Sequence, residues 1–485
     1  MEETKRFDFD VAVIGAGPAG EKAAVRAAYL GKKVVLIERD SRFGGTCGKG
    51  ALASKILRES AMIYRGAARR LADVLHPVVP VATRMQDLLR AVEHVCDAHY
   101  DGVKVAIEKH GITWVKGSAR FLDDHRLEVV PSGAEGSQGT KGAAPREISA
   151  NIIVIATGSR PSQPSFVPWG APGVFHADTI LSMPTIPKRL AVVGGGVIGV
   201  ELASIFAALD VDVHVIEQRP RLLQFLDDDV SEHLVTELAS RGAKTHLGET
   251  VTECNVDGKT GVVVTTDKGT TITADAVLFA GGRLANTEDL ALDRLDITPT
   301  RNGRLTVDDF FRTRAPNVYA VGDVIGFPAL ASTSMEQGRV AIGHAFKSEV
   351  GDRHDVLPFD ASLPYPLLPY GLYTIPSVAM VGATEAQLRA EGRPYVAGVG
   401  SYARQARGHL IGDTSGRLKL LADPATRRVL GVHIVGETAE ELVHIGQACM
   451  HYEGTIDYFL RTVFNFPTLA GLYKSAAYDV LQRLR

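Results

Sequence analysis

Cysteine is scarce in this chain. Its four copies, Cys47, Cys96, Cys254 and Cys449, are spread over 485 residues with no C-x-x-C pair. That spacing excludes the disulfide framework of a small secreted protein and a thiolate zinc site, so no metal is expected. Long apolar runs are missing as well. None approaches the ~18 residues that a membrane span requires. The charged N-terminus MEETKRFDFD leads into a short apolar stretch without a signal-peptide core, so a cytoplasmic protein with no membrane span is expected. Excess charge of either sign is also absent: 53 basic against 56 acidic residues leave a net charge of −3, which argues against nucleic acid or an anionic membrane as a partner. The length allows about three domains of ~150 residues each. What is plentiful is glycine, at 49 residues, and many of these fall in short motifs.

Two segments repeat one another. FDVAVIGAGPAGEKAAVRAAYLGKKVVLIERD (9–40) and RLAVVGGGVIGVELASIFAALDVDVHVIEQRP (189–220) each read as a buried strand, a tight glycine turn, a helix with apolar residues at helical spacing, and a second strand ending in Glu. The distance from first glycine to acid is 23 residues in both, Gly15 to Glu38 and Gly194 to Glu217. A lone G-x-G-x-x-G is a weak signal, because a plain tight turn uses the same residues. Here each copy follows a strand, opens a helix and ends on an acid, the pattern of a βαβ dinucleotide-binding unit. Gly15, Gly17 and Gly20, and again Gly194, Gly196 and Gly199, would let the backbone approach a pyrophosphate, with the helix N-terminus supplying free N–H groups.

The rest of the chain divides around these units. Residues 131–150, PSGAEGSQGTKGAAPREISA, have few large apolar residues and read as a mobile loop at a strand hairpin. The stretch IIVIATG (152–158) reads as a strand before the second unit, followed later by ADAVLFAGGR (274–283) and NVYAVGD (317–323). Beyond about residue 350 no nucleotide fingerprint occurs, and short strands such as LKLLAD alternate with helices such as TAEELVHIGQACMHY. The expected fold class is α/β: two doubly wound dinucleotide-binding domains and a C-terminal α/β domain. The expected boundaries are 1–158 with 284–350, then 159–283, then 351–485.

The order of these motifs over essentially the whole chain resembles the FAD-dependent pyridine nucleotide–disulfide oxidoreductases. The resemblance rests on the first fingerprint with Glu38, on GGTC (44–47) before a lysine, on ATG (156–158), on the second fingerprint, on GGR (281–283) and on GD (322–323). It implies that Gly15, Gly17, Gly20 and Glu38 hold FAD, with Gly45, Thr46, Thr157, Gly158, Gly282, Arg283 and Gly322 nearby and Asp323 on the ribityl chain. The helix from about Ser332 would direct its N-terminal dipole at the flavin. Gly194, Gly196, Gly199 and Glu217 would receive a nicotinamide nucleotide. Lys55 and Glu201 would lie beside the reactive edge of the flavin as catalytic residues with Cys47; the plainer alternative for that pair is a salt bridge between two helices. The C-terminal domain would form the interface of a homodimer.

Two departures narrow the chemistry. The family loop G-G-T-C-x-x-x-x-C-x-x-x-K carries its second sulfur four residues before the lysine, where this chain has Ala51, and the stretch from Cys47 to Lys55 is one residue shorter. Disulfide-reducing members also end in H-P-T-x-x-E, but FNFPTLAG puts Phe466 and Gly471 at the His and Glu positions. The missing second cysteine and the aromatic residue at Phe466 resemble the branch of soluble pyridine nucleotide transhydrogenases, as do DVIGFPALAS, YGLYTIPSV and EELVHIGQA, whereas that branch usually keeps an acid where Gly471 stands. The resemblance implies hydride transfer from NAD(P)H through FAD to an acceptor other than a disulfide. Glu217 favours NADH, because a carboxylate pairs with a ribose 2′-hydroxyl and repels a 2′-phosphate. Arg219 and Arg221 just beyond keep NADPH open. Three alternatives remain at this level: a quinone or diaphorase-type reductase, an oxidase or peroxidase using Cys47 as a sulfenic acid, and a non-catalytic flavin-binding sensor.

Overall fold

The segments FDVAVI, VVLIE and the second half of REISANIIVI are apolar on both faces, the composition of strands buried in a parallel sheet. The computed structural model describes residues 7–45, 50–71, 90–131, 144–258, 261–347 and 367–485. In it these stretches form Phe9–Ile14, Val34–Glu38 and Arg146–Ile155. The chain divides into two units. The first comprises Met1–Ser54, Leu89–Ser162 and Gly282–Asp360; the second comprises Lys55–Leu88, Gln163–Gly281 and Ala361–Arg485.

The first unit is built on a seven-stranded sheet. Phe9–Ile14 lies parallel between Val34–Glu38 (Val11 opposite Val34) and Arg146–Ile155 (Val11 opposite Ile152). Thr113–Lys116 extends the sheet beyond Val34–Glu38, and Val318–Ala320 pairs with Arg146–Ile155, both parallel. Helices Pro18–Tyr29 and Ala331–Ala345 pack closely, because a Cβ on Gly338 would stand 2.3 Å from the Ala19 carbonyl oxygen.

One expectation is corrected here. Residues 146–150 are strand, not loop: Arg146–Ser149 pair antiparallel with Arg126–Val129 before the same strand turns parallel to Phe9–Ile14. The polar sequence REIS belongs to a hairpin arm, and cross-strand pairing outweighs its low strand propensity. Residues 132–143 of the proposed mobile loop lie outside the described residues.

Among the described residues the second unit holds three sheets of its own. A parallel five-stranded sheet runs in the order Lys244–Leu247, Asp212–Glu217, Arg189–Val193, Ala276–Phe279, Val174–His176, with a small antiparallel sheet of three strands inserted in sequence between Lys244–Leu247 and Ala276–Phe279. The C-terminal sheet is antiparallel, in the order Tyr370–Leu372, Val378–Gly382, Val429–Val435, Arg417–Ala422, Val396–Ser401. Helix Gly471–Arg483 lies directly on its last strand, where Cβ atoms on Gly398 and Gly400 would meet the carbonyl oxygens of Ala476 and Leu472 at 2.3 and 2.5 Å. This unit takes in Gln163–Gly281 and Ala361–Arg485, the greater part of the stretches 159–283 and 351–485 expected as two domains, together with Lys55. Among the described residues no helix is long and apolar enough to cross a membrane.

Candidate active site

Each glycine fingerprint divides into positions the protein needs and one position it does not. Gly15 has φ +103°, and a Cβ there would stand 2.4 Å from the Ala156 carbonyl oxygen; a Cβ on Gly20 would stand 1.9 Å from the Gly15 oxygen. Gly194 and Gly199 repeat this, with 2.7 Å to the Ala280 oxygen and 1.9 Å to the Gly194 oxygen. Packing of the protein itself therefore excludes a side chain at these four sites. At Gly17 and Gly196 an added Cβ would find no atom within 4 Å. These two residues are the N-caps of helices Pro18–Tyr29 and Val197–Ala208, and neither makes a side-chain cap. Open space thus adjoins the start of a helix whose first N–H groups have no side-chain cap, an arrangement that suits a bound phosphate.

A second observation in the first unit agrees with a ligand. Thr157 Oγ1, in the ATG stretch that packs under Gly15, is buried with no hydrogen-bond partner among the described residues, and buried polar groups are ordinarily satisfied. Gly45 faces the same place, since its Cβ would stand 3.3 Å from Gly17 Cα. Thr46 and Cys47 lie outside the described residues.

The two acids that end the repeats have matching roles in their turns. Glu38 accepts from Ala16 N–H at 2.7 Å and from Asp40 N–H at 2.9 Å. Glu217 accepts from Gly195 N–H at 2.5 Å and from Arg219 N–H at 2.9 Å. Both are 7% exposed. The two arginines proposed to offset Glu217 diverge: Arg219 is exposed, whereas Arg221 pairs with Asp228 and donates to Gln224 O.

Around Asp323 the structure adds residues that the sequence did not single out. Asp323 Oδ2 accepts from Ser159 Oγ at 2.6 Å, and the same hydroxyl accepts from Arg283 Nε at 2.8 Å. Arg283 Nη2 reaches Ser159 O at 2.7 Å. Gly322, with φ +80°, donates to Gln337 Oε1 at 2.7 Å. Thus ATG, GGR and GD are joined through Ser159. Beside Gly282 and Gly158 a Cβ would meet nothing within 4 Å. Helix Ala331–Ala345 begins one residue before the expected Ser332, with no side-chain cap and no acid in its first turn.

In the second unit Lys55 Nζ and Glu201 Oε2 are 2.8 Å apart, so the expected pair forms. Glu201 is 6% exposed, and its other oxygen accepts from Tyr373 N–H at 2.8 Å. The ammonium also lies 4.9 Å from the centroid of the Tyr373 ring. Arg58, one turn beyond Lys55 and buried, donates to Thr374 O and Ser377 Oγ. Ser204 Oγ accepts from Ile375 N–H at 2.9 Å. The segment 373–377 is therefore strapped to both helices that carry the pair. The spacing of Arg58 to Lys55 on one helix face is its one sequence signal.

No second sulfur stands with these groups among the described residues. Cys96, Cys254 and Cys449 are free, on helix Arg90–Lys109, strand Val251–Asp257 and helix Ala439–His451. Burial raises the pKa of each, to about 11 for Cys254 and Cys449, so they are protonated thiols at neutral pH and poor nucleophiles. Phe466 is 78% exposed, in the segment between helices Ile456–Arg461 and Gly471–Arg483, near Val463 at 92%.

Comparison with known proteins agrees with this geometry. Residues 9–338 match the family described as pyridine nucleotide-disulphide oxidoreductase, and residues 368–477 match the dimerisation domain of the same family. A soluble pyridine nucleotide transhydrogenase of Mycobacterium bovis (strain BCG / Pasteur 1173P2) is 40% identical over 487 residues, covering 99% of this chain and 98% of that one. One from Chromohalobacter salexigens is 37% identical, covering 98% and 99%. Among solved structures, LpdA from Mycobacterium tuberculosis superposes with a TM-score of 0.86 at 25% identity, covering 98% and 99% of the two chains. The HOCl-induced flavoprotein disulfide reductase RclA from Escherichia coli gives 0.83 at 25% identity, covering 97% and 100%. With two open glycine cradles, a Lys–Glu pair and full-length relatives of one kind, this chain belongs to the pyridine nucleotide-disulphide oxidoreductase family.

Proposed function

We propose that this chain is a soluble, cytoplasmic flavoprotein of the transhydrogenase type, passing hydride from NADH to a second nicotinamide nucleotide. The observation that carries the reading is the pair of cradles left open at Gly17 and Gly196 in a chain whose second loop sulfur is Ala51. Residues 1–158 and 284–350 form the FAD-binding domain, 159–283 the NAD(P)-binding domain and 351–485 the dimerisation domain. Bound FAD supplies the two-electron chemistry. The chain's own residues do the rest. Gly15, Gly17 and Gly20 admit the pyrophosphate, Thr157 Oγ1 offers an unused hydrogen-bonding group, and Asp323, fixed by Ser159, holds the ribityl chain. Lys55 Nζ and Glu201 Oε2 hold a fixed charge pair that would meet the reacting groups when they are bound, with Glu201 orienting the nicotinamide. Val463 and Phe466, exposed within the segment matched by the dimerisation domain, face a second copy of the chain.

Anaerobic mixing with NADH tests this directly. The yellow protein should bleach within the mixing time and recover its colour on addition of thio-NAD. Bleaching that only a quinone reverses makes the chain a diaphorase-type reductase, and a flavin that never bleaches makes it a binding protein.

Glu217→Ala should move donor preference from NADH toward NADPH. Losing one charge-assisted hydrogen bond to the ribose costs about 1.5 to 3 kcal/mol, roughly ten-fold or more in NADH affinity. The variant also frees the N–H groups of Gly195 and Arg219, so binding of both nucleotides should weaken somewhat while the ratio shifts. An unchanged ratio of kcat/KM for the two donors would show that Glu217 serves the turn alone.

A further inference from the structure

A buried ionic cluster in the second unit takes no part in the chemistry above. Lys419, on strand Arg417–Ala422, has a side chain only 3% exposed. Its Nζ stands 2.8 Å from Asp227 Oδ2, 2.6 Å from Asp229 Oδ1 and 2.7 Å from Glu385 Oε1. His433, on the neighbouring strand, places Nε2 3.5 Å from the same Asp227 oxygen. The three carboxylates converge closely enough to suit a cation, and the lysine ammonium already fills that role. A buried ion pair adds little net stability over apolar packing of the same volume, which turns attention to what the cluster positions.

What it holds is the end of a loop. Asp227 is the N-cap of helix Asp228–Ser240 and closes the 218–227 segment, which leaves Glu217 and returns over the second glycine turn. Leu223 N–H donates to Gly195 O at 3.0 Å, Leu222 O accepts from Ser231 Oγ at 2.7 Å, and Asp227 Oδ1 accepts from Glu385 N–H at 2.8 Å. The first fingerprint closes at the same spacing, with Gly44 N–H donating to Ala16 O at 2.8 Å. Gly44 has φ +93° and Leu223 has φ +46°. A glycine takes the left-handed region freely, whereas a leucine is held there only by its surroundings. The second loop requires a brace that the first does not.

We propose that Lys419, with Asp227, Asp229 and Glu385, forms a set of positioning residues that clamp the 218–227 loop on the second glycine turn. The clamp thereby sets that site's choice between a nucleotide with a free 2′-hydroxyl and one with a 2′-phosphate. The proposal rests on the reading of Gly194, Gly196 and Gly199 as the nicotinamide-nucleotide site. Clamped, the loop keeps Arg219 N–H on Glu217 and the carboxylate at the ribose edge, disfavouring a phosphate. Released, Glu217 loses that anchor and the exposed Arg219 swings freely toward the 2′ position.

The test is equilibrium titration of the FAD-loaded protein with NADH and with NADPH, beside steady-state kinetics. Lys419→Met should raise the Kd ratio of NADH to NADPH by roughly 2- to 30-fold with flavin content and kcat unchanged, and Lys419→Arg should restore the ratio. Should Lys419→Met fail to fold, Asp229→Asn and Glu385→Gln each remove one partner at side chains 39% and 23% exposed and should move the ratio the same way by less. Folded variants with a lowered Tm and an unmoved ratio overturn the clamp. Gly196→Val separates this failure from that of the underlying reading. If it leaves NADH binding intact, the second fingerprint is not the nucleotide site; if it abolishes binding while the cluster variants leave the ratio unmoved, the clamp alone is wrong.

Discussion

Gly17→Val protein should purify folded and colourless. The backbone at Gly17 has φ −72° and ψ −179°, a conformation open to any residue, and an added Cβ would touch no protein atom within 4 Å. The apoprotein loses only the N-cap preference for glycine over valine, about 1 kcal/mol. The flavin is excluded, because the new methyl groups fill the space in which the pyrophosphate must approach the uncapped N–H groups of helix Pro18–Tyr29. Loss of a tightly bound cofactor also removes its linkage stabilisation, about 4 kcal/mol for ligand at a thousand times its Kd, so Tm should fall close to that of wild-type apoprotein. Gly20→Val should behave in the opposite way. Its Cβ would stand 1.9 Å from the Gly15 oxygen, so the strand–helix turn itself must open and the protein should fail to fold with or without flavin. The measurement is visible flavin absorbance relative to protein, with thermal melts of both variants. Full flavin content in folded Gly17→Val would remove the basis for placing FAD at the first fingerprint.

This contrast also explains what could be read from the sequence. The fingerprints were legible because their reasons are local: Gly20 meets Gly15, five residues away, and the same distances recur at Gly199 and Gly194. The Lys55–Glu201 pair and the chain's departures at Ala51, Phe466 and Gly471 were visible through family resemblance, which aligns positions without regard to their separation. The supporting groups were not. Ser159 joins Arg283 and Asp323 across 124 and 164 residues, and Arg58 reaches Thr374 across 316. A serine after ATG and an arginine on a helix carry no spacing that announces such partners. The Lys419 cluster was invisible for the same reason, since its carboxylates come from the start of one helix and the N-terminal turn of another. Arg219 and Arg221 show the converse: two residues apart in sequence and read together, they separate once Asp228 engages Arg221.

Lipoamide and glutathione disulfide should not be turned over at rates typical of disulfide reductases, while NADH still reduces a dye, a quinone or a nicotinamide analogue. A thiol–disulfide relay needs a thiolate, a partner sulfur and a group to manage the thiol proton. With Ala51 in the loop there is no internal disulfide to reduce. The remaining described cysteines cannot substitute, because burial keeps Cys254 and Cys449 protonated up to about 11 and sets them on other elements. Phe466 offers an exposed hydrocarbon ring where a base would stand, and a carboxylate at Gly471 would begin with its Cβ 3.0 Å from Gln405 Oε1. Acid–base assistance alone is worth roughly 10²- to 10⁴-fold, and its loss compounds that of the second sulfur. Cys47→Ser supplies the decisive comparison. If hydride moves only through the flavin, diaphorase turnover of that variant should stay within about ten-fold of wild type, a change of ~1.4 kcal/mol in barrier. If turnover vanishes while FAD and NADH still bind, Cys47 is itself a redox centre, and the enzyme works through a sulfenic acid rather than by direct hydride transfer.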